Sequence, residues 1–248
     1  MKRYCLYLFI LIGISCSAEL KAQKNGTVYK GNDPAVRYTG RTLVSPDGSV
    51  AFDWVGTYLE TRFTGGKLSV KVSETGTSYY NVFVDGKLHK VVKVCGTDTL
   101  IHLVSGIDKR IHSLKIQKRS EGEFGKTTVH QFVLSGSGRL AKEPAVRTRH
   151  IEFIGNSLTC GYGTDGKHRD EPFLVETENC NLTFASMVAR YYDADYTLIA
   201  HSGRGAARNY GDSVRVSRVT MKDRMLNTFD EDLTHKWNFK EYRPDLVV

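Results

Sequence analysis

No apolar run in the 248 residues is long enough to cross a membrane. The strongest, Tyr4–Cys16 with Gly13 inside it, falls short of the roughly 20 residues that a spanning helix needs. Cysteine is scarce: of the five, Cys5 and Cys16 sit in that run, which leaves Cys95, Cys160 and Cys180. No CxxC pair and no His/Cys spacing occurs, so no zinc site is suggested. Lys and Arg outnumber Asp and Glu by 35 to 27, yet they are scattered without interleaved aromatics, which argues against a nucleic-acid surface. There is no Gly-Lys-Ser/Thr, hence no Walker loop, and "GRGAAR" lacks the third glycine of a dinucleotide fingerprint.

The N-terminus has the layout of a secretory leader: Met1-Lys2-Arg3, the apolar run, then small and polar residues up to Ala22-Gln23. Residues 1–22 are therefore read as a signal peptide, with cleavage after Ala18 or after Ala22, and the protein as secreted or periplasmic. Lipid anchoring at Cys16 is the lesser alternative, because Gly13 stands where a large aliphatic residue is expected. Removing Lys2, Arg3, Glu19 and Lys21 lowers the formal charge of +8 by two and leaves a basic protein. In an oxidising compartment the three remaining cysteines leave at least one thiol unpaired or paired outside the chain. Cys160 and Cys180, both in loops of one expected unit, form the expected pair.

Residues 30–138 carry strand signals throughout. "RYTGRTLV", "SVAFDWV", "YLETRFTGGKLSVKV", "TDTLIHLV", "HSLKIQKRS" and "TTVHQFVL" alternate apolar and polar residues and break at glycine or Asp-Gly. In "YYNVFVDGKLHKVVKV", Asp85-Gly86 separates two alternating runs, the signature of a type I′ hairpin. About eight short antiparallel strands without helical period predict a β-sandwich or jelly roll. Residues 139–149 read as a linker. After it the period changes. Ile151–Ile154 is a short apolar strand without alternation, as expected when both faces are covered. Leu182, Phe184, Met187, Val188 and Tyr191 are spaced for the buried face of a helix, with Asn181 as its cap. Asp195–Ala200 is a second buried strand, "RVTMKDRMLNTF" a further helix, and "RPDLVV" opens a third strand. Strand, helix, strand, helix, strand predicts an α/β unit with a parallel sheet over residues 150–248. That is short for a doubly wound sheet, so the unit reads as incomplete.

Ser157 lies just beyond the first strand of this unit, at the rim where open α/β sheets bind ligands. Gly155, Gly161 and Gly163 around it allow tight turns and leave room for a substrate. A serine there can also serve only to cap the next segment. The second cluster, "IAHSGRGAARNYGD", follows the neighbouring strand and brings Gly203 and Gly205 to the same edge, where a backbone N–H could stabilise an oxyanion. Trp54, Tyr58, Tyr79 and Tyr80 could stack on sugars, although aromatics in a sandwich more often fill the core. Trp237 and Tyr242 are read as packing residues.

"FIGNSLTCGYG", "HSGRGAARNYG" and "WNFKEYRPDLVV" together resemble the early blocks of the SGNH (GDSL-type) hydrolase superfamily. With a β-sandwich in front, the chain is similar to carbohydrate esterase family 2, the acetylxylan esterases and related hemicellulose deacetylases, over roughly residues 30–248. The resemblance implies an N-terminal jelly roll followed by a flavodoxin-like, three-layer SGNH domain. It implies Ser157 as nucleophile, the N–H groups of Ser157 and Gly203 (or, less well placed, Gly205) as oxyanion donors, and Asn156 as a scaffold group where the superfamily name has Asp. No metal or organic cofactor is implied. The expected substrate is an acetylated polysaccharide or oligosaccharide such as xylan or glucomannan.

The family's later blocks, a Gly-x-Asn-Asp segment with the oxyanion asparagine and a catalytic histidine, do not occur before Val248. The chain is therefore expected to be a C-terminally truncated fragment with impaired activity, since a serine without its base is a poor nucleophile. His150, His168, His201 and His235 do not occupy the family's base position; His201 stands closest to the glycine cluster. A sheet ending at "LVV" is further expected to expose an aggregation-prone edge. The alternatives are a non-catalytic carbohydrate-binding module, in which only the β-sandwich works, and another SGNH lipase or thioesterase.

Overall fold

Alternating strands fill the first half of the chain. The computed structural model describes residues 26–142 and 146–248; the expected leader and Cys16 lie outside the described residues, as do residues 143–145. Ten strands form one antiparallel sheet: β1 (Gly26–Lys30), β2 (Val36–Thr39), β3 (Leu43–Val44), β4 (Val50–Phe52), β5 (Tyr58–Thr64), β6 (Lys67–Val84), β7 (Lys87–Val104), β8 (Ile111–Lys118), β9 (Thr127–Ser135) and β10 (Arg139–Ala141). The order is β10-β5-β8-β6-β9-β4-β3, with β1 on β9, β2 on β5 and β7 on β6. Alternate residues, among them Phe52, Phe63, Leu68, Val82, Phe132 and Leu134, enclose its apolar core.

Two strands are much longer than the sequence pattern suggests. β6 and β7 each run for 18 residues and turn at Asp85-Gly86, both at positive φ (50° and 75°), as a type I′ hairpin requires. Their register shifts between Val72 and Thr77, opposite Gly96, so the breaks read from sequence are irregularities within continuous strands. Arg139–Ala141, expected as part of the connecting segment, pairs instead with Arg62–Thr64, because Leu140 has an apolar core to enter.

The second sheet is parallel. β11 (His150–Gly155) lies between β12 (Asp195–Ala200) and β13 (Leu246–Val247). β12 is buried at every position. Tyr196, Leu198 and Ala200 pack with Val55, Tyr58 and a helix, whereas Ile199 packs with Trp54 and Met221. Coverage on both faces explains the unbroken apolar run.

The helices are α1 (Ser157–Cys160), α2 (Phe184–Tyr191) and α3 (Met221–Arg224). α2 presents the face opposite to the one its large apolar residues suggest. Ala185, Ser186 and Ala189 are buried, while Leu182, Phe184, Met187, Val188 and Tyr191 are exposed. Small side chains let the helix approach β12 closely; the larger ones cannot occupy that space. Asn181 lies in the 3-10 turn Cys180–Leu182, and Thr183 occupies the position before α2. The second expected helix is a single turn. Asn227 Nδ2 donates to the carbonyls of Asp223 (3.0 Å) and Arg224 (3.1 Å), which satisfies the helix end and stops it.

Cys160 and Cys180 are both free, contrary to the expected disulfide. Cys180 Sγ donates instead to Lys118 O at 3.4 Å, and burial raises both thiols. Cys95 is exposed. Trp54, Tyr58 and Tyr80 are buried and serve packing, whereas Tyr79 is partly exposed and directs its hydroxyl to Glu176. Trp237 and Tyr242 pack against each other, and Trp237 faces the Arg41 guanidinium.

Charged and polar side chains join the two sheets. Asp195 accepts from Arg37 (2.7 Å), Arg147 (2.8 Å) and the Tyr58 hydroxyl (2.7 Å). Buried Arg41 donates to the carbonyls of Met225 and Asn227, both at 2.7 Å. The Asp53 carboxylate accepts from the backbone N–H groups of Asp230 (2.8 Å) and Glu231 (3.1 Å). No helix among the described residues is long and apolar enough to cross a membrane.

Candidate active site

β11 and β12 end level with each other, Gly155 opposite Ala200. The segments that follow therefore leave the sheet at one edge. On the first, Asn156 caps α1, its Oδ1 accepting from Leu158 N–H at 3.2 Å. Ser157 is the first residue of α1 and is half-buried. Gly161 ends the helix at φ 84°, and a Cβ there would lie 2.5 Å from Asn179 O. That glycine makes room for backbone rather than for substrate. On the second segment, Gly203 turns at φ 73°, and its carbonyl accepts from Tyr210 N–H at 2.8 Å.

A cavity of about 620 Å³ opens between the two segments. Asn156, Ser157, Gly203 and Gly205, all singled out by the sequence, line it together. The N–H groups of Ser157 and Gly203 donate to no group among the described residues, whereas Gly205 N–H donates to Asn209 Oδ1 at 3.3 Å. Two free amides and a hydroxyl at one cavity wall make an arrangement able to attack a carbonyl and hold the resulting oxyanion.

His201 is not at the cavity wall. It is buried, its Nδ1 donates to Asp230 at 2.7 Å, and its Nε2 lies 3.6 Å from Glu123. Burial works to lower its pKa, but the hydrogen bond and charge of Asp230 outweigh this and hold it above the ordinary value. Asp230 is raised by burial. Asp53 behind it reaches about 7, through burial first and then the Asp230 charge. Among the described residues no histidine is hydrogen-bonded to the Ser157 hydroxyl. His150 bonds Thr197 and stacks on Tyr242, and His235 bonds Asp232.

Three groups bring ligand-type atoms within 4.8 Å of one another: Glu121/Cys160/Glu178, Glu121/Glu123/His201 and His201/Asp230/Glu231. Most of their carboxylates are engaged with protein donors, Glu121 with Ser202, Glu178 through Oε2 with Glu121 N–H, Asp230 with His201 and Arg224, and Glu231 with Arg224, whereas Glu178 Oε1 is buried without a partner.

Sequence reasoning missed Glu123, Tyr162, Ser202, Arg204, Arg208 and Tyr210, which complete the lining. Five of them carried a signal, since they flank, interrupt or follow the glycine turns in "CGYG" and "SGRGAARNYG". Glu123 carried none. It belongs to the antiparallel region, in the 3-10 turn Gly122–Phe124. Burial and then the Glu121 charge raise its pKa.

Comparison with known proteins gives the same picture. Residues 38–144 match the family model described as the carbohydrate esterase 2 N-terminal region. The chain is 32% identical over 217 residues to a cellulase/esterase, CelE, of Acetivibrio thermocellus, covering 88% of this chain and 26% of that protein. It is 31% identical over 216 residues to an acetylxylan esterase / glucomannan deacetylase of Cellvibrio japonicus, covering 84% and 58%. Its fold is similar to that of a family two carbohydrate esterase from Clostridium thermocellum in complex with cellohexaose, with a TM-score of 0.80, 32% identity, and coverage of 86% of this chain and 64% of that one. The chain thus spans less than two thirds of each of these relatives. In sequence and in fold, over the portion of those proteins that it spans, the chain resembles the family 2 carbohydrate esterases, and residues 38–144 match that family's N-terminal region.

Proposed function

We propose that this protein is a serine carboxylic-ester hydrolase that removes O-acetyl groups from a plant cell-wall polysaccharide such as xylan or glucomannan. The observation that carries the reading is the conjunction of Ser157 with the unpartnered N–H groups of Ser157 and Gly203 at one cavity. Ser157 Oγ attacks the acetyl carbonyl as its proton passes to a base, and the carbonyl oxygen becomes an oxyanion facing the two amides. The bond to the sugar oxygen then breaks, and that oxygen leaves with the proton as a hydroxyl. Water hydrolyses the acetyl-serine to acetate and regenerates the hydroxyl. Asn156 holds the α1 entry in place. Exposed Tyr210, and Tyr162 stacked on Phe173 at 3.6 Å between centroids, offer aromatic faces suited to a pyranose ring.

On this reading the antiparallel unit, residues 26–141, is a jelly roll and residues 150–248 are the early part of an SGNH unit, the linker being what lies between them. Antiparallel pairing with one apolar core in the first, and parallel pairing with other cores in the second, support that division. A secreted or periplasmic location is proposed from the leader-like residues 1–22 alone; N-terminal sequencing of the exported protein tests it.

Because no histidine among the described residues reaches the Ser157 hydroxyl, acetyl transfer by this 248-residue chain is expected to be slow. The test is acetate release from p-nitrophenyl acetate and acetylated xylan by the chain and by Ser157→Ala. Release that falls to the uncatalysed rate in the variant, a loss on the order of 10²-fold or more, supports the assignment. Equal release by both proteins overturns it, and polysaccharide binding without release in either would mark a binding module.

A further inference from the structure

The cavity wall is held from behind by a residue of the other sheet. Glu121 lies between β8 and β9, immediately before the turn that carries Glu123, and it is completely buried. Both its carboxylate oxygens are committed to one residue. Oε2 accepts from Ser202 N–H at 2.5 Å, and Oε1 accepts from the Ser202 hydroxyl. Ser202 directly precedes Gly203, so its carbonyl carbon and the Gly203 N–H belong to one rigid peptide plane. The far side of that step is fixed by Tyr210 N–H on Gly203 O.

Glu121 is itself anchored. Its N–H donates to Glu178 Oε2 at 3.0 Å, and Arg119 Nε donates to Glu178 O at 2.6 Å. Burial, and then the Glu121 carboxylate, push Glu178 up to about 10. Cys160, the last residue of α1, completes the cluster within 4.8 Å. The same buried group therefore touches the helix that begins with Ser157 and the turn that carries Gly203.

We propose that Glu121 is a positioning residue that sets the direction of the Gly203 N–H relative to Ser157, so that the antiparallel region builds part of the catalytic geometry of the parallel one. The consequence for rate rests on the esterase reading; the placement of the turn does not. Without the carboxylate, the Ser202 N–H and hydroxyl lose their acceptors, and the turn is left to the bonds of Arg204 N–H to His201 O (3.3 Å) and Tyr210 N–H to Gly203 O (2.8 Å), which hold the Ser202–Gly203 peptide less firmly. Misplacement of a catalytic group by about 1 Å costs on the order of 10²-fold in rate.

The test compares the 248-residue chain with Glu121→Ala, Glu121→Gln and Ser202→Ala by amide hydrogen exchange and by p-nitrophenyl acetate hydrolysis. In Glu121→Ala the Ser202 amide, which loses its acceptor, is expected to exchange at least about tenfold faster, while those of β11 and β12 keep their wild-type rates. In the same variant kcat is expected to fall about 10²-fold with KM changed less than about threefold. Glu121→Gln, which retains an acceptor for Ser202 N–H, is expected to restore most of both. Unchanged exchange at Ser202 in a folded Glu121→Ala overturns the proposal. So does equal acceleration throughout β11 and β12, which would reveal a general stabilising role. If Glu121→Ala does not fold, Ser202→Ala decides: it removes the hydroxyl contact alone, and a backbone amide at position 202 that exchanges as in wild type, with kcat unchanged, overturns the proposal. Should the wild-type chain release no acetate above background, the esterase reading fails, and exchange still decides the role of Glu121.

Discussion

The two sheets reach burial with different materials. The antiparallel sheet encloses Phe52, Phe63, Phe132 and a set of leucines and valines on alternating positions. The parallel sheet is covered on one face by α2, whose contribution to the interior is Ala185 and Ala189, beside Ala194, Cys160 and Cys180. In the first region the largest hydrophobic residues mark the inside. In the second they mark the outside of the helix, where Phe184, Met187 and Tyr191 face solvent. Size alone therefore does not locate a buried face; the distance between the packed elements decides which side chains fit.

The contrast ends where the regions meet, because there charge works beside apolar contact: Trp54, Val55 and Tyr58 pack on β12, and buried ion pairs surround them. Replacing Asp195 by alanine is the severest test. It leaves Arg37 and Arg147 without a shared carboxylate and the Tyr58 hydroxyl without its acceptor. Breaking a buried pair of this kind costs about 3–5 kcal/mol, which urea unfolding would read as a lower midpoint. A pH series sharpens the result. Burial acts to raise the Asp195 pKa, but hydrogen bonds from Arg37 and Tyr58, with the Arg37 charge, outweigh it and hold the group below the usual carboxylate range. Its stabilisation is thus complete above about pH 4 and lost as pH falls through the lower folded value. The variant is expected to lack that part of the acid-side slope.

A smaller effect separates the two packing styles. Ala189→Leu forces bulk between α2 and β12 and is expected to destabilise by about 1–3 kcal/mol; a thermal melt measures it. The mildest change is Tyr191→Ser, on the outward side of the same helix. It is expected to shift stability by less than about 0.5 kcal/mol. A large loss there would mean that the outer face is covered in solution.

How much of this was legible depended on whether the cause was local. The Asp85-Gly86 hairpin was readable because turn chemistry is written in two residues. Ser157 and Gly203 were readable as candidates because each follows an apolar strand, and the parallel register of those strands brings both to one cavity. The buried side of α2 was not, because a count of large apolar residues ignores the alanines that permit close approach. Nor was the short α3, whose end depends on the Asn227 side chain. Glu121 and Glu123 lay furthest out of reach. Nothing around them in sequence announces a role, and only the packing of one sheet against the other carries them to the cavity.

The thiols of this protein are sorted by accessibility, and that has a practical use. Cys160 and Cys180 are sealed in and, through burial, resist ionisation, whereas Cys95 stands exposed on the long hairpin and away from the cavity lining. Among the described residues a maleimide dye would thus mark one place on the folded molecule without engineering. Appearance of label at the other two would report, in real time, the opening of the region that holds Ser157.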